Sequence, residues 1–244
     1  MKTVRSRRRI AAPSPDRIAN RLLRALPREE LDRLRPNLEP VDLPLGKMVL
    51  RPNNLIDYVY FPETGMVSLV LQLEKGRTVE VGLIGKEGMV GALAPLGATA
   101  MSGEATVRMA GSALRMPAGV LRIETARSPR LMDLLLRYLQ ALFAQVSQSV
   151  ACNSQHTVSE RMARWLLMAH DCADGNEMPL SHELLATMLG VRRPGITVAM
   201  GQLKKAGLID SRRGRVVVLD RRGLEQSACA CYRAVMAQYK RLLA

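Results

Sequence analysis

Aromatic side chains are scarce in this chain: one Trp, two Phe and five Tyr among 244 residues. Hydrophobic residues nonetheless make up 48% of it. The sequence can therefore fill a core, but one of Leu, Val, Ile, Ala and Met rather than rings, and its composition is not that of a disordered chain. No apolar run reaches the roughly 18 residues that a membrane-spanning helix needs. The opening stretch MKTVRSRRRIAAPSP is basic but lacks the apolar segment of a secretory signal. Cysteine is sparse too: Cys152, Cys172, Cys229 and Cys231, with none earlier. Without a secretory signal this usage fits reduced thiols and a cytoplasmic location. Cys229 and Cys231 have one residue between them and no close His in the sequence, so they lack the usual ligand spacings. They read as a buried or redox-accessible thiol pair, and no metal is expected. Catalytic patterns are missing as well. No phosphate-cradling Gly-Lys-Ser/Thr, Ser/His/Asp set or pair of carboxylates in one element occurs, and Gly85-Lys86-Glu87-Gly88 reads as a turn. An enzyme is not expected, and no cofactor follows from the residues.

Acidic residues are outnumbered, 22 against 36 Lys and Arg, giving a formal net charge of +14 and a pI near 10.4. Such an excess points to a polyanion, nucleic acid before an anionic membrane. The N-terminal arm is basic but has no apolar face to insert, so no membrane partner is expected.

Periodicity divides the chain. Residues 1–15 read as a flexible basic arm with Pro13 and Pro15. From Asp16 to Leu38 the pattern is helical, with Asp16 as a cap and Ile18, Leu22, Leu23 and Leu26 at helical spacing. A second short helix ends before Pro36. Between Leu38 and Glu124 the period is two, in six to eight short segments broken by Gly, Pro and Asn. Glu74-Lys75-Gly76-Arg77 marks a hairpin, and an antiparallel barrel or roll is expected. Ser128 and Pro129 open a long helix running to about Asn153. Its stripe of Leu131, Leu135, Tyr138 and Leu142, widened by Leu134, Leu139, Phe143 and Val146, is expected to pack on the roll and on a second copy of itself. An amphipathic helix carrying Trp165 follows, and a last helix begins near Leu224. The fold class is α+β, with a roll over 16–127, a dimerisation helix over 128–155 and a helix-turn-helix unit over 156–244.

The stretch LATMLGVRRPGITVAMGQLKKAGLIDSRRGRVVV, Leu185 to Val218, carries the functional reading. Ser181 caps a helix whose apolar residues are Leu184, Leu185, Met188 and Leu189, and Gly190 ends it. After a short turn, a second helix over about 193–205 sets Ile196, Ala199, Met200 and Leu203 on one face. Ala186 is small where the two helices cross, and the pair reads as a helix-turn-helix. From Arg192 to Arg222 nine basic residues face two acids, Asp210 and Asp220, half of the net charge in 31 residues. Arg193, Thr197, Gly201 and Lys204 share the face opposite the apolar one. Pro194 suits a first helical turn, where its missing N–H would have no partner. Arg192 and Arg193 sit at the end that enters the major groove in helix-turn-helix docking. Arg193 is a candidate to read guanine, with phosphate contact as the alternative. The loop 211–216, with Arg212, Arg213 and Arg215, reads as a wing on phosphates. Ser181, His182, Gln202 and Lys205 complete the candidate DNA-binding set.

A roll, a long helix, a helix-turn-helix and a wing in that order resemble the Crp/Fnr family of bacterial transcription regulators, over roughly Leu22 to Leu243. The resemblance implies a homodimer with a cyclic-nucleotide-binding-like roll, a winged helix on palindromic double-stranded DNA, and RNA polymerase as a partner. At the family's recognition positions Arg193 matches the first Arg, but Pro194 replaces a Glu and Thr197 a second Arg, so the half-site does not carry over. The effector region aligns over Gly88 to Val107. Gly91 fits the pocket glycine, Ala92 replaces the ribose-binding Glu, and Gly103 stands near the place of the phosphate-binding Arg. Gly88, Val90, Gly91, Ala92, Leu93, Gly103, Glu104 and Ala105 are the candidate effector-pocket residues. Arg77 or Arg108 would have to replace the missing cation, so cyclic AMP is not expected and the effector is unknown. An N-terminal iron–sulfur cysteine group is absent, and His156, His170 and His182 lie beyond the roll, where no haem ligand is expected. A small-molecule sensor acting through protein partners rather than DNA is the alternative.

Overall fold

The computed structural model describes residues 18–243; the expected basic arm and the Asp16 cap lie outside the described residues. In chain order come α1 (Arg21–Arg24), α2 (Arg28–Leu34), β1 (Glu39–Leu43), β2 (Met48–Leu50), β3 (Tyr58–Gln72), β4 (Thr78–Ile84) and β5 (Glu104–Pro117). These are followed by α3 (Ala118–Arg127), α4 (Pro129–Gln155), α5 (Val158–Cys172), β6 (Glu177–Met178), α6 (His182–Leu189) and α7 (Arg193–Lys205). The chain ends with β7 (Ile209–Arg212), β8 (Arg215–Val218), α8 (Arg221–Ser227) and α9 (Cys231–Leu243).

The first helix is a single turn capped by Asn20, whose side chain accepts from Leu23 N and donates to the carbonyls of Pro62 and Gly88. It is pinned to the roll because Glu63 accepts from the backbone of Ala19 and Asn20.

The roll is an antiparallel sheet of order β1-β5-β3-β4, with β2 on β5. The expected six to eight short strands are replaced by five, two of them long, because Gly65 and Gly111 bend continuous strands instead of ending them. Gly65 sits at φ +80, where a Cβ would lie 2.6 Å from the Met109 carbonyl oxygen, and a Cβ on Gly111 would collide with Thr64. The β3–β5 register shifts around this point, so the tight crossing is a bulge that curls the sheet. A second difference is α3. Strand β5 ends at Pro117, whose φ of −56 opens a helix in a segment expected to be extended.

Helix α4 begins as expected: Ser128 Oγ accepts from Leu131 N and donates to Glu30. Leu131, Leu135 and Tyr138 are buried in the roll's own core, and Tyr138 donates to the Met89 carbonyl. The stripe read as the dimer face is thus largely intramolecular. The exposed apolar stripe lies one face over, at Leu136, Phe143 and Val150, which are 42%, 73% and 67% exposed.

Helix α5 opens with a capping box between Thr157 and Glu160 and runs through the middle of the second core, with Trp165 buried. The cores cross the expected boundary at residue 156. Val235, Tyr239 and Leu242 of α9 join the roll's core, while Met66, Leu83 and Met109 of the roll join the second. Gln145 stitches the seam, pairing with both backbone polar atoms of Leu83 and donating to the Tyr239 hydroxyl. The C-terminal helix begins at Cys231 rather than near Leu224, because Asp220 caps the separate helix α8.

Glu80 spans the same seam, accepting from Trp165 Nε1 at 2.6 Å and from Ser68. Desolvation pushes its carboxyl up to about 7, against those two hydrogen bonds and the charges of Arg164 and Arg108. In the unfolded chain this group titrates near 4.5. Its stability contribution is therefore complete below that pH and is lost as pH rises toward 7. Thermal melts should show Tm falling across that window, and Glu80→Gln should shrink the slope. An unchanged slope would remove Glu80 from the account.

Candidate nucleic-acid interface

Ser181 caps α6 by accepting from Leu184 N at 3.1 Å, and Gly190 closes the helix at φ +63, a conformation that disfavours a side chain. Arg192 is the N-cap residue of α7 and Pro194 stands in its first turn. Ile196, Ala199, Met200 and Leu203 are buried in the second core, so the rest of α7 is turned outward. Arg192, Arg193, Thr197, Val198, Gly201, Gln202, Lys204 and Lys205 are all exposed.

Strands β7 and β8 pair from Ile209–Val218 to Arg212–Arg215. The turn residues Arg213 and Gly214 both have positive φ, 47 and 79, the pattern of a two-residue type I′ hairpin. Strand β6 adds a third strand through Glu177–Val217, so the wing is a small sheet rather than a bare hairpin.

The cations differ in how free they are. Lys204 and Arg212 share Asp210, at 2.7 and 3.0 Å, and the Lys204 hydrogen bond leads the causes that hold that carboxyl below its ordinary pKa. Arg215 pairs with Glu177. Among the described residues, Arg192, Arg193, Lys205 and Arg213 have no carboxylate partner. Exposed pairs are worth about 0–1 kcal/mol, so Lys204, Arg212 and Arg215 can exchange their carboxylates for phosphates at small cost. His182 Nδ1 lies 3.3 Å from Thr197 Oγ1, and Thr197 donates back to the Arg193 carbonyl. Both side chains bind the two helices together in this structure. Arg221, counted in the sequence with the basic cluster, instead holds α8 to α5 and α9 through Asp171, Glu225, His170 and Tyr232.

The sequence reading passed over Val198, whose signal was its position out of phase with the buried face. It is an exposed apolar side chain on the outward surface of α7. It also did not place Arg77 here. Arg77 lines a cleft between the β3–β4 hairpin and the α7 N-terminus together with Arg192 and Arg193.

The roll holds a separate cavity of about 380 Å³, lined by Ile56, Leu69, Ile84, Met89, Gly91, Ala92, Leu93, Leu96 and Met101 and by Leu139, Leu142, Phe143 and Val146 of α4. Gly91, Ala92 and Leu93 of the expected set line it. Gly88 instead packs under the Tyr138 ring. Val90 bridges Tyr60, Gly103 lies against the Val70 carbonyl, Glu104 accepts from Thr106, and Ala105 is buried in the core. Neither Arg77 nor Arg108 reaches the lining; Arg108 lies near Glu80.

A family model for the cyclic nucleotide-binding domain matches residues 40–126, and one for the Crp-like helix-turn-helix domain matches residues 160–227. The chain is 25% identical over 187 residues to the global nitrogen regulator of Nostoc sp. strain PCC 7120, covering 71% of this chain and 82% of that protein. It is 24% identical over 202 residues to the CRP-like cAMP-activated global transcriptional regulator of Mycobacterium tuberculosis, covering 80% and 90%. Among solved structures, FixK2 from Bradyrhizobium japonicum superposes with a TM-score of 0.68 at 18% identity, covering 79% of this chain and 98% of that one. No helix among the described residues is long and apolar enough to cross a membrane.

Arginine is a poor choice for the left-handed position it holds at 213, a conformation that costs roughly 1–2 kcal/mol for ordinary residues. Asn is favoured in this turn. Arg213→Asn is expected to raise Tm modestly while weakening duplex binding. Tighter binding by the variant would contradict a phosphate-contacting wing.

Proposed function

Because the chain is a transcriptional regulator of the Crp/Fnr type, we propose that it works as a homodimer on a two-fold symmetric DNA site, with α7 in the major groove and the β7–β8 wing on the backbone. One observation carries this reading. Arg192 and Arg193 stand exposed, without carboxylates, at the N-terminal end of a helix whose opposite face is anchored in the core. Arg193 reads a base, most simply guanine O6 and N7. Gln202 and Val198 extend the readout, the latter toward a thymine methyl group. Lys204, Lys205, Arg212, Arg213 and Arg215 hold phosphates, with Ser181 and His182 at the edge of the footprint. A sensor acting only through protein partners would have no use for four exposed cations without carboxylates on α7 and the wing.

The second copy docks on α4. Leu136, Phe143 and Val150 recur at intervals of seven, with Leu139 and Val146 between them, the seam of a two-helix coiled coil. The cavity beneath this helix suits an apolar effector. Its lining has no cation and no carboxylate, so a cyclic phosphodiester would be stripped of water without replacement. The cAMP of the Mycobacterium tuberculosis relative is therefore not carried over. Contact with RNA polymerase follows from the regulator type.

Two measurements test the DNA-binding reading. Affinity for a symmetric duplex should fall steeply with salt, and Lys205→Ala should lower the log–log slope by about 1 while weakening all sequences alike. Arg193→Ala should cost about 1–3 kcal/mol and relax selection at one base pair of each half-site. Unaltered selection would return Arg193 to the phosphate backbone. For the dimer, Phe143→Asp should sediment as a monomer under conditions where the wild type is a dimer, with near-wild-type helical content. A dimeric variant would place the interface elsewhere.

A further inference from the structure

Cys229 and Cys231 have one residue between them, and the fold brings two more donors to them from more than seventy residues away in sequence. Cys152 lies in the last turn of α4 and His156 is its C-cap residue, so the two are one helical turn apart at the same end. Cys229 and Cys231 sit at the start of α9, which packs along α4. Cys152 Sγ is 3.5 Å from Cys229 Sγ, and Cys231 Sγ is 3.5 Å from His156 Nδ1. All four donor atoms lie within 4.8 Å of one another. The thiol pair, which has no close His in the sequence, gains one through the return of the chain.

We propose that Cys152, His156, Cys229 and Cys231 form a tetrahedral site for one Zn²⁺ per chain, which locks the junction between α4, α5 and the C-terminal helix. In a tetrahedron with Zn–S bonds of about 2.3 Å the sulfur atoms stand about 3.8 Å apart, so the observed spacings need only small adjustment. Three thiolates and one imidazole are a donor set of closed structural zinc sites. The three cysteines are buried and His156 is partly so, which suits a closed site with a short path to solvent.

The surroundings agree. Gln148 Nε2 donates to Cys231 Sγ at 3.0 Å, an outer contact of the kind that orients a ligand. Three thiolates and Zn²⁺ leave one net negative charge, and two buried arginines of α5 face it. Arg161 and Arg164 are within electrostatic reach of Cys152, and the Nε atoms of both are buried without a hydrogen-bond partner among the described residues. One further nitrogen of each is engaged. Arg161 donates to the Leu189 carbonyl at the end of α6, and Arg164 to Ser149 on α4. The bound ion would therefore hold α4 and α9 directly, and through Arg161 would reach the first helix of the helix-turn-helix.

The test uses the full chain, purified with a phosphine reductant and without chelator. Elemental analysis should find one zinc per chain. Replacement by Co²⁺ should give the ligand-field bands of a tetrahedral site and a thiolate-to-cobalt charge-transfer band. Cys152→Ser should lower zinc affinity by at least about 100-fold, and Gln148→Ala by about 10–100-fold, the range for loss of an outer-shell partner. Gln148→Ala leaves all four ligands and the core in place, so it keeps the test meaningful if cysteine variants fold poorly. Chelation should lower Tm of the wild type but not of Cys152→Ser. Reduced wild-type protein that takes up neither zinc nor cobalt would overturn the proposal. So would iron with acid-labile sulfide in place of zinc, or a Cys152–Cys229 disulfide forming in air without any metal uptake by the reduced form.

Discussion

The apolar side of α7 is sealed against the second core by Ile196, Ala199, Met200 and Leu203, and the outward side depends on that seal. Each of the larger side chains is worth about 1.5–3 kcal/mol when fully buried, far more than an exposed ion pair supplies. The helix therefore cannot roll to bring Arg193 toward Asp210 or Glu177, and the cations at its N-terminus stay in water without partners. The cap at Ser181 and the left-handed turn at Gly190 set where the helix begins relative to α6. A positively charged surface that keeps its shape without a ligand is what strong but salt-sensitive attraction to a polyanion requires.

Helix α4 is shared by every part of the molecule. One face is core, with Leu131, Leu135 and Tyr138 under the sheet. A second pairs with β4 and α9 through Gln145. A third, carrying Phe143, is open. Its C-terminal end meets the thiol cluster and the short link into α5. Because α9 returns from the winged helix to pack on this same rod, the two cores are interleaved in sequence although distinct in space. Glu80 shows the cost of that arrangement: its carboxyl is held in a desolvated seam by Trp165 and Ser68, and burial raises its pKa toward neutrality.

Features written in local chemistry were legible in the sequence. The Ser128 cap, the Gly190 turn, the bounds of α7 and the wing turn depend on a few adjacent residues, and the structure places each where the pattern put it. What failed depended on distance along the chain. The bulge at Gly65 and Gly111 reads as two strand breaks until the strands are paired. The Leu131–Tyr138 stripe is amphipathic whichever surface covers it, so periodicity could not separate the roll from a second copy. The contact between His182 and Thr197 appears only when α6 and α7 cross, and Arg221 counts as surface charge until Asp171 and Tyr232 close round it. The Cys152–His156–Cys229–Cys231 cluster is the extreme case, since its two halves lie more than seventy residues apart and meet only where α9 returns to α4.

The cavity and the exposed stripe on α4 share residues, and this bears on how an effector could act. Leu139, Phe143 and Val146 line the cavity from the helix side, and the same three belong to the apolar seam proposed for dimerisation. An apolar ligand filling the cavity would press on side chains that a second helix must also pack, so occupancy and helix pairing draw on one set of contacts. Packed interfaces respond to such pressure by choosing between discrete arrangements rather than by deforming smoothly. The choice would pass along α4 to its C-terminal end, and from there through Arg161 to α6 and the α7 packed against it. A charged ligand could not use this route, because the cavity offers nothing to hold its charge. On the reading proposed above, the lining leaves a wall of adjustable, mostly aliphatic side chains on which shape acts.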